Sequence, residues 1–287
     1  MSEINSIASN YIASGANIAQ ISPASFVRAD LEKKFSRRVM AWYGIIFFLA
    51  LWQAAPYLGL ADARFIPPLS AVLAEAWSLM ATGEFFIHVA SSTQRALLGL
   101  FAAVAVSIPL GVALAGFFPR IARFIVPLLS LLGNINPFAL FPLFILLFGV
   151  GELAKLAIIF WASLFPMLNF TIYGVANMDS AILKTAKSMG ASPKSLFWKV
   201  ILPGSLPAIL TGFRLGATTA FLFLIAAEML SANSGMGYLV HNASLNYRIP
   251  RIYVGVLGIA LLGMAMSLLI DKLEKAFLSY KEEAQAA

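Results

Sequence analysis

Cysteine is absent from the 287 residues of this sequence, and histidine occurs only twice. Without cysteine there are no disulfides, no thiolate metal sites and no cysteine nucleophile. His88 and His241 lie far apart in the sequence, which argues against a metal or acid–base centre built on clustered histidines. Charged residues make up only 11% of the chain, whereas soluble domains contain about 25%. The composition therefore argues against a soluble protein and against histidine or cysteine chemistry.

Sequence motifs for nucleotide chemistry are missing as well. No lysine follows a glycine anywhere in the chain, so it has no G-x-x-x-x-G-K-[ST] loop. The apolar segments also lack the clustered acids, or the nucleophile with a neighbouring base, that a membrane-embedded enzyme needs. We therefore expect a protein that is not an enzyme, with no catalytic residue, no metal site and no cofactor bound by this chain.

Long apolar segments dominate the sequence instead. The chain is 60% hydrophobic, with a mean hydropathy of +0.85, and its apolar blocks are about 20 residues long, which is the length of a membrane-spanning helix. A β-barrel would have shorter segments that alternate apolar with polar residues. The pattern predicts an all-α polytopic membrane protein with about six transmembrane helices. The predicted spans are 39–60, 91–118, 122–150, 153–174, 205–230 and 252–270.

Glycine and proline give the second and third predicted spans special features. Gly99, Gly111 and Gly116, with many alanines, predict that the second span packs closely against other helices. Pro109 predicts a kink or a local break in the same span. The third span is interrupted by three prolines, which are Pro127, Pro137 and Pro142.

The segments outside the spans are polar or short. Ser70 follows two prolines and is expected to cap a short amphipathic helix. Residues 231–251 are predicted to form a polar loop. Residues 1–38 lack the apolar core of a cleavable signal peptide, and this arm either lies on the membrane surface or is disordered.

Lysine and arginine are distributed unequally between the two sides of the predicted spans. Fourteen lie in the N-terminal arm, the loop after the second span, residues 184–199 and the C-terminal tail, against four on the opposite side. Cytoplasmic loops of membrane proteins collect these residues. The predicted orientation therefore places both termini in the cytoplasm, and it accounts for the net charge of +7 without a nucleic-acid partner.

Residues 179–203 form a cytoplasmic segment that we call the elbow. Asp179 or Ser180 can cap a helix that ends near Met189. Gly190 then provides the left-handed backbone position at which such a helix ends. A second short helix follows, so the sequence predicts two helices joined by a glycine turn.

The second helix of the elbow combines caps with an apolar run. Ser192 and Pro193 are suited to its first positions. Pro203 and Pro207 are expected to separate it from the fifth span. Between them lies LFWKVI, which is too apolar for a merely solvated loop. These side chains must contact the helix bundle, lipid headgroups or a partner.

The elbow also carries the residues of a family motif. Permease subunits of binding-protein-dependent ABC importers share EAA-x3-G-x9-I-x-LP, and this sequence resembles it at the same spacing, with KTA at 184–186, Gly190 and V-x-LP at 200–203. Lys184 takes the place of the motif's glutamate. NPFALFPLFILLFGVGELAK and SGMGYLV are similar to the nitrate, taurine, aliphatic-sulfonate and bicarbonate branch. The resemblance covers roughly residues 65–280.

The resemblance implies a type I importer permease that works with other subunits. The elbow would be a coupling helix that docks on a separate ATPase subunit. Two copies of that ATPase, a periplasmic binding protein and a second copy of this chain would complete the transporter in a bacterial inner membrane, with ATP used by the partners. The solute would be small, and an anion of the nitrate, bicarbonate, taurine or sulfonate type is expected. The residues expected to couple the chain to the ATPase are Ala186, Met189, Gly190, Ala191, Ser192, Leu196, Phe197 and Pro203.

Together, these patterns and the resemblance divide the chain into four parts. They are the cytoplasmic arm 1–38, the first transmembrane helix 39–60, the permease core 61–280 with the elbow 179–203, and the tail 281–287.

Polar residues inside the predicted spans are candidates for the translocation path. Asn134 and Asn136, which lie among prolines, either line a path or form hydrogen bonds between helices. Glu228 either faces the path, pairs with a cation such as Arg95, or reaches interfacial water. Arg95 and Arg214 either contact an anionic solute, pair with an acid, or extend to the headgroups.

A secondary transporter or channel that works without an ATPase is the alternative function. It would account for the broken third span and the asparagines within it. It also predicts inverted internal repeats, and the sequence shows no convincing one.

Overall fold

The computed structural model describes Met40 and residues 43–286, with side chains up to Phe277. The predicted arm 1–38, the start of the first span and the side chains of the predicted tail lie outside the described residues. The chain divides between Ser70 and Ala71 into two compact units. Within the described residues, all regular structure is helical.

The first unit contains helix α1 (Tyr43–Ala54). Gln53 forms two hydrogen bonds with Ser70: its Oε1 accepts from the backbone N at 2.9 Å, and its Nε2 donates to Oγ at 3.1 Å. The next helix, α2 (Leu69–Ala81), begins one residue before Ser70. The predicted short helix is therefore present, but Ser70 lies inside it and does not cap it. The predicted span 39–60 is described only in part.

The second unit is a bundle of long helices joined by short breaks. Two of the helices include a π-helical segment, in which hydrogen bonds reach one residue further than in an α-helix. The elements are α3 (Glu84–Val112) with its π-helical end Ala113–Phe117, α4 (Pro119–Gly133), a 3-10 turn (Pro137–Leu140), α5 (Phe141–Phe148), α6 (Glu152–Ala176), α7 (Ser180–Ser188), α8 (Pro193–Leu196), a π-helical segment (Phe197–Ile201), α9 (Leu202–Ser231), α10 (Met236–Leu245) and α11 (Ile249–Ala286).

The apolar helices match five of the six predicted spans. Among the described residues, four helical segments are long and apolar enough to cross a membrane, namely Glu84–Phe117, Glu152–Ala176, Pro193–Ser231 and Ile249–Phe277. A fifth is formed by Pro119–Gly133 and Pro137–Phe148, which are bent by 83° at the break between them. The predicted all-helical, polytopic fold is confirmed, including the interruption of its third span.

Glycine lets α3 and α6 approach each other closely. A Cβ added to Gly99 would lie 2.5 Å from Ile159 Cγ2, and one added to Gly111 would lie 2.8 Å from Thr171 Cβ. Both distances are shorter than side chains tolerate, so the close packing predicted for the second span is confirmed. The core around this contact includes Leu100, Ala103, Ile158, Met167, Ala217 and Leu224.

The prediction of a polar loop at 231–251 was wrong. The segment contains α10, on which Met236, Leu239 and Ala243 are buried. Their spacing of three and four residues forms one apolar face of a helix, and the polar residues between them hide this face in the sequence. Only the residues that flank α10 are irregular.

Candidate functional site

The elbow has the capped local structure that its sequence predicts. The Asp179 side chain accepts a hydrogen bond from the backbone N of Ala181 at 2.8 Å, at the start of α7. Ser192 does the same for Ser195 at 3.2 Å, at the start of α8. Each cap satisfies a backbone donor that the first turn of a helix leaves free. The two short helices therefore begin at defined residues.

Gly190 closes the turn between these helices. Its φ of 80° lies in the left-handed region, where glycine is favoured because it has no Cβ. Its N donates to Lys187 O at 3.0 Å, and Ala191 N donates to Ala186 O at 3.1 Å. This pair of bonds is the Schellman arrangement at a helix C-terminus. It leaves Met189, at the tip of the turn, 82% exposed.

Two aromatic rings fasten the elbow to the end of α3. Phe197 is buried, and its ring centre lies 4.6 Å from that of Phe117. A Cβ on Gly116 would lie 2.8 Å from Phe197 Cε2, so glycine makes room for the ring. Leu196 is also buried beside this contact. The apolar run in the elbow is thus explained in part by packing within the chain.

The predicted separation of the elbow from the fifth span was wrong. The helix continues without a break from Pro193 to Ser231, through the π-helical segment Phe197–Ile201. Pro203 lies in the first turn of α9, and Pro207 lies inside the helix. Proline removes a helical hydrogen bond, and the π-helical segment directly before Pro203 shifts the bonding by one residue, with Leu202 N donating to Phe197 O. The elbow and the fifth span therefore form one continuous rod.

The structure divides the eight predicted coupling residues by exposure. Met189, Gly190 and Ser192 are exposed, Ala186, Ala191 and Pro203 are half-buried, and Leu196 and Phe197 are buried. The exposed residues surround the glycine turn, whereas the buried ones hold the elbow to the bundle. Contact with an ATPase stays a prediction for all eight.

The elbow is also strongly basic. Lys184, Lys187, Lys194 and Lys199 are exposed, and none forms an ion pair with any residue that the structure describes. Lys187 and Lys194, with Trp198, line a cavity of about 620 Å³ beside Phe117. This surface combines free positive charge with exposed apolar side chains.

A second polar site lies at the opposite end of the bundle, and we call it the Arg95 cluster; it comprises Ser92, Arg95, Glu152, Lys155 and Glu228. Arg95 lies 22 residues before Phe117 along α3 and its π-helical end, which is roughly 33 Å along a helix axis. Its Nη1 donates to Glu228 Oε1 at 2.8 Å, and its Nε donates to Glu152 Oε2 at 2.6 Å. Lys155 Nζ donates to Glu152 Oε1 at 2.6 Å. Three helices, α3, α6 and α9, are thus joined by ionic contacts.

The Arg95 cluster holds the turn that connects α9 to α10. Gly237 N donates to Glu228 Oε2 at 3.0 Å, and Met236 N donates to Ser92 Oγ at 2.8 Å. Gly235 N donates to His88 Nδ1 at 3.1 Å. Arg95 donates to both the carbonyl and the hydroxyl oxygen of Ser234. Each residue of the SGMG turn is therefore bonded to the Arg95 cluster or to His88, which lies one turn earlier than Ser92 on α3.

Four members of this region were missed in the sequence. His88 was assigned no role from the sequence, but it is buried and bonded to the turn. Ser92, Glu152 and Lys155 were not singled out. Glu84, His88, Ser92 and Arg95 follow one another at spacings of four, four and three residues. Polar residues at such spacings on an otherwise apolar helix lie on one face. The sequence alone therefore indicates that these four side chains share a face of α3.

The predicted translocation residues fall into two groups. Glu228 is fully buried and pairs with Arg95, which is one of the three placements compatible with its sequence position. Asn134 and Asn136 are exposed at the 83° bend, and Asn136 Oδ1 accepts from Phe138 N at 3.0 Å. A role in translocation stays a prediction for all four residues.

Two further arginines pair with acids. Arg251 donates to Glu75 at 2.8 Å and to Glu84 at 3.1 Å. Arg214 donates to Asp271 at 2.5 Å and also to Glu274, so the acid-pairing alternative holds for it. In the described part of the chain, no three His, Asp or Glu side chains are arranged to hold a metal ion.

Comparison with known proteins identifies the architecture. Residues 107–278 match the family model described as binding-protein-dependent transport system inner membrane component. A permease described as transporting aliphatic sulfonates, SsuC of Escherichia coli (strain K12), is 36% identical over 86% of this chain and 94% of its own. The taurine transport system permease TauC of the same organism is 32% identical over 87% of this chain and 93% of its own.

A solved structure shows the same fold at lower identity. The methionine ABC transporter MetNI, solved in inward-facing conformations, aligns with a TM-score of 0.57 and 15% identity, over 66% of this chain and 94% of that one. The motif-based resemblance is therefore confirmed. The chain belongs to the family of binding-protein-dependent transport system inner membrane components, as an ABC importer permease of the branch that includes the taurine and aliphatic-sulfonate permeases.

Proposed function

We propose that this ABC importer permease carries a small anion of the sulfonate, taurine, nitrate or bicarbonate type across a bacterial inner membrane. The names of SsuC and TauC describe transport of aliphatic sulfonates and taurine, and both relatives align over most of this chain. A periplasmic binding protein delivers the anion. The path itself is formed where two copies of this chain meet.

The observation that carries the coupling proposal is the exposed, rigidly capped tip of the elbow. Met189 is 82% exposed beside a glycine turn that two backbone hydrogen bonds fix. A turn whose backbone is already fixed loses little backbone conformational entropy when its tip enters a pocket on a partner. Met189, Gly190 and Ser192 therefore contact the ATPase, while Leu196 and Phe197 keep the elbow attached.

The continuous helix transmits the motion of the elbow to the far side of the bundle. The segment Pro193–Ser231 contains 39 residues, or roughly 58 Å of helix, and it carries Glu228 near its end. Phe197 also ties the elbow to α3, which carries Arg95. A displacement of the elbow by the ATPase thus acts on both partners of the Arg95–Glu228 pair, and we assign that pair to the gate at the outer end of the path.

The remaining assignments follow from this arrangement. Two ATPase subunits bind the two elbows and hydrolyse ATP, and this chain contributes no catalytic residue or cofactor. Both termini and the basic elbow face the cytoplasm, in keeping with the excess of lysine and arginine there. Asn134 and Asn136 line the path at the bend of the third span.

The response of the ATPase to solutes tests the proposed anion class. The permease in lipid nanodiscs, with its partner ATPase and binding protein, should hydrolyse ATP faster when the binding protein carries a sulfonate, taurine, nitrate or bicarbonate. The empty binding protein, and one offered solutes of similar size that carry no anionic group, should give the basal rate. Stimulation by a cationic solute and by none of the anions would show that the solute class is wrong.

A further inference from the structure

Glu152 is bound by two cations that are far more buried than it is. Its side chain is 57% exposed, whereas those of Arg95 and Lys155 are 8% and 3% exposed. Oε1 accepts from Arg95 Nη2 at 3.0 Å and from Lys155 Nζ at 2.6 Å, and Oε2 accepts from Arg95 Nε at 2.6 Å. The two cations thus present a recessed pair of positive groups, with an accessible carboxylate bound in front of them.

Arg95 and Lys155 differ in how many of their donors are used. All five guanidinium N–H groups of Arg95 have acceptors, on Glu152, Glu228 and Ser234. Lys155 has three N–H donors and forms one hydrogen bond among the described residues, to Glu152. A buried ammonium with unused donors can donate further hydrogen bonds to the oxygens of a bound anion.

The two carboxylates of the Arg95 cluster are not equivalent. Glu228 is fully buried and is fixed by Ser92, Arg95 and Gly237, so it cannot leave without unpairing the turn. Glu152 forms hydrogen bonds with only Arg95 and Lys155 among the described residues, and more than half of its side chain is exposed. If Glu152 moves aside, two buried cations face one buried acid, and the excess positive charge requires an anion because unpaired buried charge is costly.

We propose that Arg95 and Lys155 form an anion socket at the end of the bundle opposite the elbow, which Glu152 fills at rest and a small oxyanion fills when Glu152 swings out. The ligand class is a carboxylate, sulfonate or nitrate, whose oxygens replace those of Glu152. The exchange makes Glu152 a tethered competitor that keeps the socket closed to weakly bound anions. The link to the imported solute rests on the proposed function, but the socket itself does not.

Anion rescue of Glu152→Ala tests the socket on the full-length permease alone. In detergent with sodium chloride as the background salt, the variant should lose roughly 5–10 °C in Tm, because two buried cations lose a partner. Replacing chloride with sodium nitrate, formate or methanesulfonate at constant ionic strength should restore most of this loss, with saturation. The wild type should show no saturable gain, because Glu152 occupies the socket.

Two further variants separate a socket from a general salt effect. Glu75→Ala removes an acid from Arg251, which is more exposed at 16% and keeps Glu84, and it should gain nothing specific from these anions. Glu152→Ala combined with Lys155→Met restores the balance of charge, so its response to anions should disappear. If Glu152→Ala does not fold, Glu152→Ser, whose short side chain also leaves the socket empty, should show the same saturable response.

An equal response of Glu152→Ala, Glu75→Ala and the wild type to the three anions would overturn the socket. That result would leave the proposed import function untouched, because the measurement involves neither the ATPase nor the binding protein. If the anions rescue Glu152→Ala but the solutes do not stimulate the ATPase, the socket stands and the proposed import function is wrong.

Discussion

Replacing Arg95 with methionine should destabilise this permease more than the same replacement of Arg214 or Arg251. The change leaves Glu228 fully buried without its cation and frees Ser234 from both of its bonds to the guanidinium. Removing one partner of a buried ion pair typically lowers the free energy of unfolding by about 3–5 kcal/mol. The measurements are the yield of monodisperse protein and its Tm in detergent.

Arg214→Met is the matched control for that experiment. It removes the same side chain from an ion pair, but Arg214 is 45% exposed, and solvent screens such pairs. It should leave yield and Tm close to those of the wild type. A double variant, Arg95→Met with Glu228→Gln, should recover part of the loss because no unpaired charge stays buried. Equal losses for Arg95→Met and Arg214→Met would contradict the assigned role of the cluster.

Replacing Met189 with aspartate should abolish coupling and leave folding unchanged. The side chain is 82% exposed and forms no contact that the fold needs, so the Tm should not change. A charge at the tip of the elbow, however, opposes docking in an apolar pocket. Loss of an interface hot spot costs about 2 kcal/mol or more, which is roughly a 30-fold decrease in affinity. Co-purification with the ATPase and ATP-driven uptake should both fall by at least that order.

Two further variants, Met189→Leu and Phe197→Asp, serve as controls for that result. Leucine preserves the apolar volume and should retain uptake. Aspartate at Phe197 should lower the Tm as well as uptake, because the ring packs against Phe117 within the chain. A charge at Phe197 therefore does not test ATPase contact by itself, although the motif placed Phe197 among the residues expected to couple the chain to the ATPase. Unchanged uptake by Met189→Asp would show that the elbow tip does not dock.

The local structure of the elbow could be predicted because its determinants are close in sequence. Asp179, Gly190 and Ser192 each act within three residues of themselves, through caps and one positive φ. The apolar spans could be predicted for a similar reason, since each carries its own hydropathy. The continuous helix through Pro203 could not be predicted, because it depends on a π-helical segment that the sequence does not indicate.

The Arg95 cluster lay beyond sequence reasoning for a different reason. Its ionic partners are separated by 57 and 133 residues, so their meeting depends on how three helices pack. The polar stripe on α3 indicated a face but not what lies opposite it. Glu228 shows the same limit, because three placements were compatible with its position and only the packing of α3 against α9 selects one.

The source of energy for uptake tests the central claim most directly. Proteoliposomes containing this permease, its ATPase and the loaded binding protein outside should accumulate the anion when ATP is enclosed. Accumulation should stop when ATP is replaced by a non-hydrolysable analogue, whatever proton or sodium gradient is imposed. Uptake by the permease alone, driven by an ion gradient without ATP, would contradict the assignment and would favour a secondary transporter.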